Sequence, residues 1–207
     1  MGYNREPRYL HPYIAARLDK ILGAINAKLP AGHIAKLVSA HRSPDDQFQL
    51  FKQGRIFRNG SWVKVGSVVT HLDGFVKQSR HNNLPCTAFD TGIFKNNVYL
   101  GDSPLYKHVK EGIKFGLDWG GNWTRFKDMP HLEMPFNLFF KSSLEKDQGY
   151  VWQLYLQKAG TYTGAMDGIF GTNSIKALKA ATGQDRRTLA TWDKLYDRFG
   201  KLDNQYL

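Results

Sequence analysis

Two of the seven histidines in this 207-residue chain, His81 and His131, have neighbours that could support chemistry. His81 stands in Ser79-Arg80-His81-Asn82-Asn83-Leu84-Pro85-Cys86-Thr87-Ala88-Phe89-Asp90, where an apolar, strand-like stretch delivers an acid shortly after a loop histidine. His131 stands in Asp128-Met129-Pro130-His131-Leu132-Glu133. A catalytic zinc takes three protein ligands of histidine and carboxylate type and leaves a fourth tetrahedral position open for water. His81, Asp90 and His131 satisfy that inventory. An acid three residues before a ligand can lean over the open position, take a proton from the attacking water and pass it to a leaving amine; Asp128 fits that description. Two histidines and two acids at such spacings also arise by chance, so the residues alone leave the assignment open.

Other reactive groups nearby read more plainly. Cys86 lies between two candidate ligands, but a cysteine nucleophile needs a base and an orienting group. We read it as a small buried residue. Glu133 shares a strand face with His131, two residues away, and suits either an alternative ligand or a hydrogen-bond partner for a ligating histidine; it is left outside the ligand set. The turn Trp119-Gly120-Gly121-Asn122-Trp123 reads equally well as a wall of a binding groove or as packing beneath the strand that carries His131.

These side chains need elements to hold them. Leu10, Ile14, Leu18, Ile21, Leu22, Ile25 and Leu29 recur at helical spacing, with Pro12 near the start, and predict an amphipathic helix. Lys36 to Ala40 predicts a strand. Ser43-Pro44-Asp45-Asp46 predicts a capped helix running to about Gly54. Further strands are expected at Ser67 to Thr70, Thr87 to Phe94 and His131 to Met134, and a helix at Leu105 to Phe115. Together these make a mixed α+β domain, an antiparallel sheet with flanking helices. Beyond it, Val151, Leu154, Leu156 and Ala159 form one helical stripe, Ile175, Leu178 and Ala181 a second, and Leu189, Trp192, Leu195, Tyr196 and Phe199 a third. A small three-helix bundle is expected there. The polar run at 141 to 149 is the candidate linker, which divides the chain into 1–143 and 144–207.

Composition excludes several classes. With 42% hydrophobic and 14% aromatic residues the chain can bury a core and is not disordered. One cysteine forms no internal disulfide and no cysteine-rich metal site. No window spans a bilayer, and the start lacks the apolar core of a secretory signal, so synthesis in the cytoplasm is expected. The formal charge of +11 predicts attraction to a polyanion, with +9 of it before residue 144. No nucleic-acid recognition signature accompanies it, so a specific nucleic-acid partner is not expected.

The series Leu10-His11-Pro12, Ala40-His41-Arg42-Ser43 with Gln47, Gly54-Arg55, Val69-Thr70, Ser79-x-His81-Asn82 through Ala88-Phe89-Asp90, Gly116-Leu117-Asp118-Trp119-Gly120-Gly121-Asn122-Trp123 and Phe126-Lys127-Asp128-Met129-Pro130-His131 resembles the M15 family of zinc peptidoglycan peptidases. It is most similar to their L-alanyl-D-glutamate endopeptidase branch, found in phage endolysins and bacterial cell-wall hydrolases. The resemblance implies Zn2+ held by His81, Asp90 and His131, with Asp128 as the catalytic base. It implies Arg42 as the arginine that binds substrate oxygens and stabilises developing negative charge, a role suited to a permanently charged planar fork. Ser79, Gln47 and Trp119 fall at positions read as site support or substrate contacts. Two departures stand out: the stretch between His81 and Asp90 is longer than the commonest family spacing, and His41 stands where the family more often has tyrosine.

Val151-x2-Leu154-x-Leu156-Gln157-x2-Gly160, Gly164-x2-Asp167-Gly168-Ile169-Phe170-Gly171 and Thr172-x2-Ser174-Ile175-x-Ala177-Leu178 resemble the three-helix peptidoglycan-binding domain of many wall hydrolases. That resemblance implies wall contacts near the Asp-Gly-x-Phe-Gly loop, with Tyr155, Tyr162, Thr163 and Asp167 as candidates. The expectation is a monomeric zinc endopeptidase acting on bacterial peptidoglycan. The alternatives are a D,D-carboxypeptidase or D-alanyl endopeptidase of the same fold, and a non-catalytic wall-binding protein.

Overall fold

The computed structural model describes residues 4–136 and 143–202, with nothing given for the side chain of Leu144. The first helix, α1 (Pro12–Asn26), starts as its spacing requires, and its buried stripe is Ile14, Leu18, Ile21 and Ile25. It packs behind a five-stranded antiparallel sheet whose main path runs β1 (His33–Ser39), β4 (Ala88–Lys95), β7 (His131–Glu133), β6 (Asp118–Trp119), with the short β5 (Val98–Tyr99) also on β4. The second helix, α2 (Pro44–Lys52), is capped by Ser43, whose Oγ accepts from the Asp46 N–H, and carries Asp45 and Asp46 at its positive end.

Alternation along β4 and β7 separates a core face from an open face. Phe89, Ile93 and Leu132 point into the core with α1 and the helix Pro104–Phe115, while Asp90 and His131 point the other way. Register then decides proximity: Asp90 lies directly opposite His131 across the β4–β7 pair, and Ser39 of β1 lies opposite Asp90 on its other side. Pro104–Phe115, expected as an ordinary helix, is wound on the tighter 3₁₀ pattern and ends at Gly116, whose φ of 78° suits the left-handed cap.

Two sequence expectations are corrected here. Ser67 to Thr70 forms no strand; it runs between flanking ties, with Gly54 O accepting from the Val65 and Gly66 N–H groups before it and Gln47 Nε2 donating to Thr70 Oγ1 and Leu72 O at its end. In its vicinity lies a hairpin the strand reading missed, β2 (Arg55–Arg58) paired with β3 (Ser61–Lys64). Its signal was Asn59-Gly60, both at positive φ, which is the two-residue turn that suits a hairpin's twist. The candidate linker is the second correction. Residues 141 and 142 lie outside the described residues, but 144 to 149 open α3 (Leu144–Lys158), capped by Ser143 with Glu145 and Asp147 in the first turn. Gly149 sits within this helix because the loop at Gly168 lies against it: a Cβ on Gly149 would come 2.0 Å from Gly168 O. It marks a close approach of two backbones, not a flexible joint.

α3, α4 (Thr172–Thr182) and α5 (Leu189–Phe199) share a core built on Trp152, Leu156, Leu178, Trp192 and Leu195. The Trp152 and Trp192 rings meet edge to face at 5.2 Å, a favoured aromatic geometry. Gln153 is fully buried and clamps the Asp167–Ile169 turn, accepting from the Gly168 N–H and donating to Asp167 Oδ1 and Ile169 O. This core also takes in Tyr9 and packs against Leu84, both remote in sequence. Among the described residues no helix is long and apolar enough to cross a membrane.

The core face of β7 rests on one side chain. Leu132 is completely buried, so Leu132→Ala should cost about 2–5 kcal/mol, read as a lower urea midpoint at unchanged slope.

Candidate metal centre

His81 is placed by a short 3₁₀ turn, Arg80–Asn82, capped at both ends of its first hydrogen-bonded ring. Ser79 Oγ accepts from the His81 N–H, and Asn82 Oδ1 accepts from the Ser79 N–H at 2.7 Å. The turn is also clipped to the segment after β1, since Asn82 Nδ2 donates to Arg42 O and the Arg42 N–H donates to His81 O, both at 2.8 Å. His81 therefore has a fixed backbone before its ring makes any contact.

The rings of His81 and His131 are each oriented from outside. His81 Nδ1 lies 2.7 Å from Ala40 O, and His131 Nε2 lies 3.1 Å from Glu133 Oε2. A carbonyl or carboxylate at one nitrogen holds the proton there and leaves the lone pair on the other. The two ring nitrogens left to a metal, His81 Nε2 and His131 Nδ1, face each other at 3.3 Å. Asp90 Oδ1 completes the triangle at 3.3 Å from His81 Nε2 and 3.0 Å from His131 Nδ1. A tetrahedral metal with bonds of about 2.0–2.1 Å has ligand-to-ligand edges of about 3.3–3.4 Å. Three donors at that separation, with both histidine tautomers set from behind, fit a metal ion. Among the described residues this is the group that could hold one.

Charges at the centre are strongly coupled to it. Burial by itself would raise the Asp90 carboxyl, but the charge of His81 and the hydrogen bond from His131 outweigh it and hold the group well below the usual carboxylate range. Burial likewise pulls His131 down, and hydrogen bonds to Asp90 and Glu133 reverse it, taking the imidazole up to about 10. Asp128 goes the opposite way: burial first, then repulsion from Asp90, raise its carboxyl. A carboxyl that holds its proton more tightly than its neighbour is suited to receive and return one.

All four of these residues line one cleft of about 960 Å³. Arg42 lines it too, held by three partners. Its guanidinium donates to Gln47 Oε1 at 2.7 Å, to Ser39 Oγ at 3.0 Å and to Asp90 Oδ2 at 3.3 Å, the carboxylate oxygen turned away from the histidines. Gln47, read as site support or a substrate contact, lines the cleft beside Arg42 and spends its amide on Arg42, Leu72 O and Thr70. Ser79 serves the cap described above. Gly120 matters for position: a Cβ there would come 2.5 Å from Asp128 O and 3.1 Å from the Asp128 and His131 Cβ atoms. The glycine lets the turn press against both residues.

Several sequence-assigned contacts fall elsewhere. Trp119 packs in the core with its indole N–H on Met129 O, because β6 pairs with β7 and turns that ring inward. The cleft wall is instead Trp123, whose ring lies 5.1 Å from that of His131. Tyr155 and Tyr162 are interior residues, their hydroxyls donating to Gly200 O and Ala165 O, which corrects their assignment to wall contact. Asp167 is exposed. Cys86 is buried, its thiol bonded to Ala88 O and pushed up by burial to about 12, far from thiolate character. His41 is buried beside Tyr9 and held neutral, at about 4, chiefly by burial. Ser39 and the Ala40 carbonyl were missed as site residues. Neither has a sequence signal, since only the β1–β4 register brings them to Arg42 and His81.

Glu133 is the hold on His131. Glu133→Ala should weaken binding of a divalent metal ion about 10–100-fold, measured by competition with a chromophoric chelator; an unchanged affinity would show that the imidazole needs no such partner.

No protein-family model matches the chain. It is 33% identical over 137 residues to the peptidoglycan L-alanyl-D-glutamate endopeptidase CwlK of Bacillus subtilis (strain 168), an alignment covering 62% of this chain and 75% of that protein. Among solved structures it is similar to the L-Ala D-Glu endopeptidase ChiX of Serratia marcescens, with a TM-score of 0.43 and 19% identity over 63% of this chain and 84% of the other. Identity at that level across 75% of the Bacillus protein places this chain in its family, the M15-type peptidases.

Proposed function

We propose that this chain is a zinc-dependent endopeptidase that cuts the stem peptide of bacterial peptidoglycan between L-Ala and D-Glu, as a bacteriophage endolysin or related cell-wall hydrolase. The observation that carries the reading is the convergence of His81 Nε2, Asp90 Oδ1 and His131 Nδ1 within one cleft that also presents Asp128 and Arg42. The bond is the one that the Bacillus relative's name gives it.

Zinc on His81, Asp90 and His131 would polarise the scissile carbonyl and acidify a water. The protein's own groups do the rest. Asp128, raised by burial and by Asp90, takes the proton of the attacking water and gives it to the departing amine. Arg42 keeps a fixed positive field at the oxygen where charge develops. Its orientation costs nothing during reaction, because Gln47, Ser39 and Asp90 already hold it. Trp123 and Phe126 give the cleft apolar walls that keep bulk water from these charges.

Residues 1–143 form the peptidase in this reading and 144–207 a three-helix wall-binding unit. Its contacts come from the exposed side of the clamped turn, with Thr163 and Asp167 as the accessible candidates. Such a unit raises the local substrate concentration without altering the chemistry. The +9 charge of the first part adds attraction to an anionic wall.

Digestion of purified sacculi followed by mass spectrometry should reveal new free amines on D-Glu; release of terminal D-Ala instead would reassign the protein as a carboxypeptidase. Asp128→Ala should lower kcat about 10²–10⁴-fold while zinc content stays stoichiometric. Parent-like turnover by that variant would remove Asp128 from the mechanism. Arg42→Lys should also lose kcat, because a lysine cannot bridge Gln47, Ser39 and Asp90 at once; steady-state kinetics on a soluble stem peptide would show it.

A further inference from the structure

We infer that the C-terminal helices brace the segment carrying His81 and Asp90, and that Trp152 of α3 is a positioning residue for the metal centre. The inference rests on the reading of that centre as a catalytic zinc site.

Eight residues of chain separate the two ligands, and their middle is held from the C-terminal side. Trp152 is completely buried and donates its indole N–H to Leu84 O at 2.8 Å, while the Leu84 side chain packs into the core of α3 to α5. A second route reaches the same stretch through the N-terminal strip. Trp192 of α5 donates its indole N–H to Arg8 O at 3.0 Å, Arg8 pairs with Asp193 and Asp197, and Tyr9 lies inside the same core. From there Tyr9 O accepts from the Cys86 N–H at 2.7 Å, and Cys86 O accepts from the His11 N–H at 2.8 Å.

A core of this kind needs the ring volume of two tryptophans but not the direction of their N–H groups. A buried indole N–H left unpaired is costly, and here both are spent on carbonyls outside the C-terminal helices. One lies between the ligands and the other next to the strip that pairs with Cys86. A wall-binding unit on a free tether has no use for such bonds, whereas an eight-residue stretch between two candidate ligands does. By linkage, energy that fixes the loop on the helices also favours metal binding, and bound metal must stiffen the helices' hold in return.

The test uses the full chain. Trp152→Phe keeps the ring and deletes the donor. Thr182→Val is the control, deleting a buried bond to Leu178 O inside α4, away from the loop. On a soluble stem-peptide fragment free of glycan, W152F should raise the zinc dissociation constant about tenfold and lower kcat similarly, with KM within about twofold of the parent. T182V should change none of these. In the parent, adding zinc should slow hydrogen exchange of the Trp152 indole N–H, a reading that needs no variant to fold. Parent-like constants for W152F, an equal response from T182V, or indole exchange indifferent to zinc would each overturn the brace. A parent that binds no zinc and cleaves no stem peptide would instead overturn the functional reading beneath it.

Discussion

The pairing of Asp90 with His131 across β4 and β7 is the constraint on which the remaining arrangement depends. Opposed residues on neighbouring antiparallel strands have side chains about 4.5–5.5 Å apart at Cβ, so a carboxylate and an imidazole on one face must meet. A slip of one residue would turn both into the core and bring Phe89 and Leu132 out. Burial of those two side chains, both completely enclosed, is what forbids the slip. The hydrophobic face of the sheet thus sets the geometry of the polar one.

Around that pair, the protein holds groups from behind and does not leave them to find each other. Ala40 O and Glu133 point the lone pairs of His81 and His131 inward. Gln47 and Ser39 do the same for Arg42. The consequence is electrostatic as well as geometric. Asp90 is driven below its ordinary range by the charge of His81 and the hydrogen bond from His131, in spite of its burial, and its charge helps raise Asp128. Two acids on one cleft are thereby separated, one held below the usual carboxylate range and one raised above it.

The chain order and the packing order differ at the C-terminal helices. Tyr9 and Leu84 come from the first part of the sequence and contribute to the core of the last part. A continuous apolar seam with directed hydrogen bonds joins the sheet domain to these helices, and it passes beside the loop that separates two candidate ligands.

Much of this was legible in the chain. Helical spacing located α1 and the three C-terminal helices, Ser43-Pro44 marked the start of α2, and His81, Asp90, Asp128 and His131 were candidates by type, with the family resemblance choosing among their roles. Local pattern encodes such features because each depends on residues within a turn or two of one another. What the sequence could not decide were facts of facing. Trp119 and Trp123 are the same residue type four apart, and only strand pairing sends one inward and one to the cleft. Tyr155 and Tyr162 are polar enough to suggest a binding surface, yet their hydroxyls are satisfied inside by carbonyls that no spacing predicts. Gly149 looked like a linker's end and is a contact point. The ligand atoms themselves, Nε2 of His81 and Nδ1 of His131, follow from which carbonyl or carboxylate lies behind each ring. Composition and periodicity determine which residues are available; long-range register and burial determine which atoms they present.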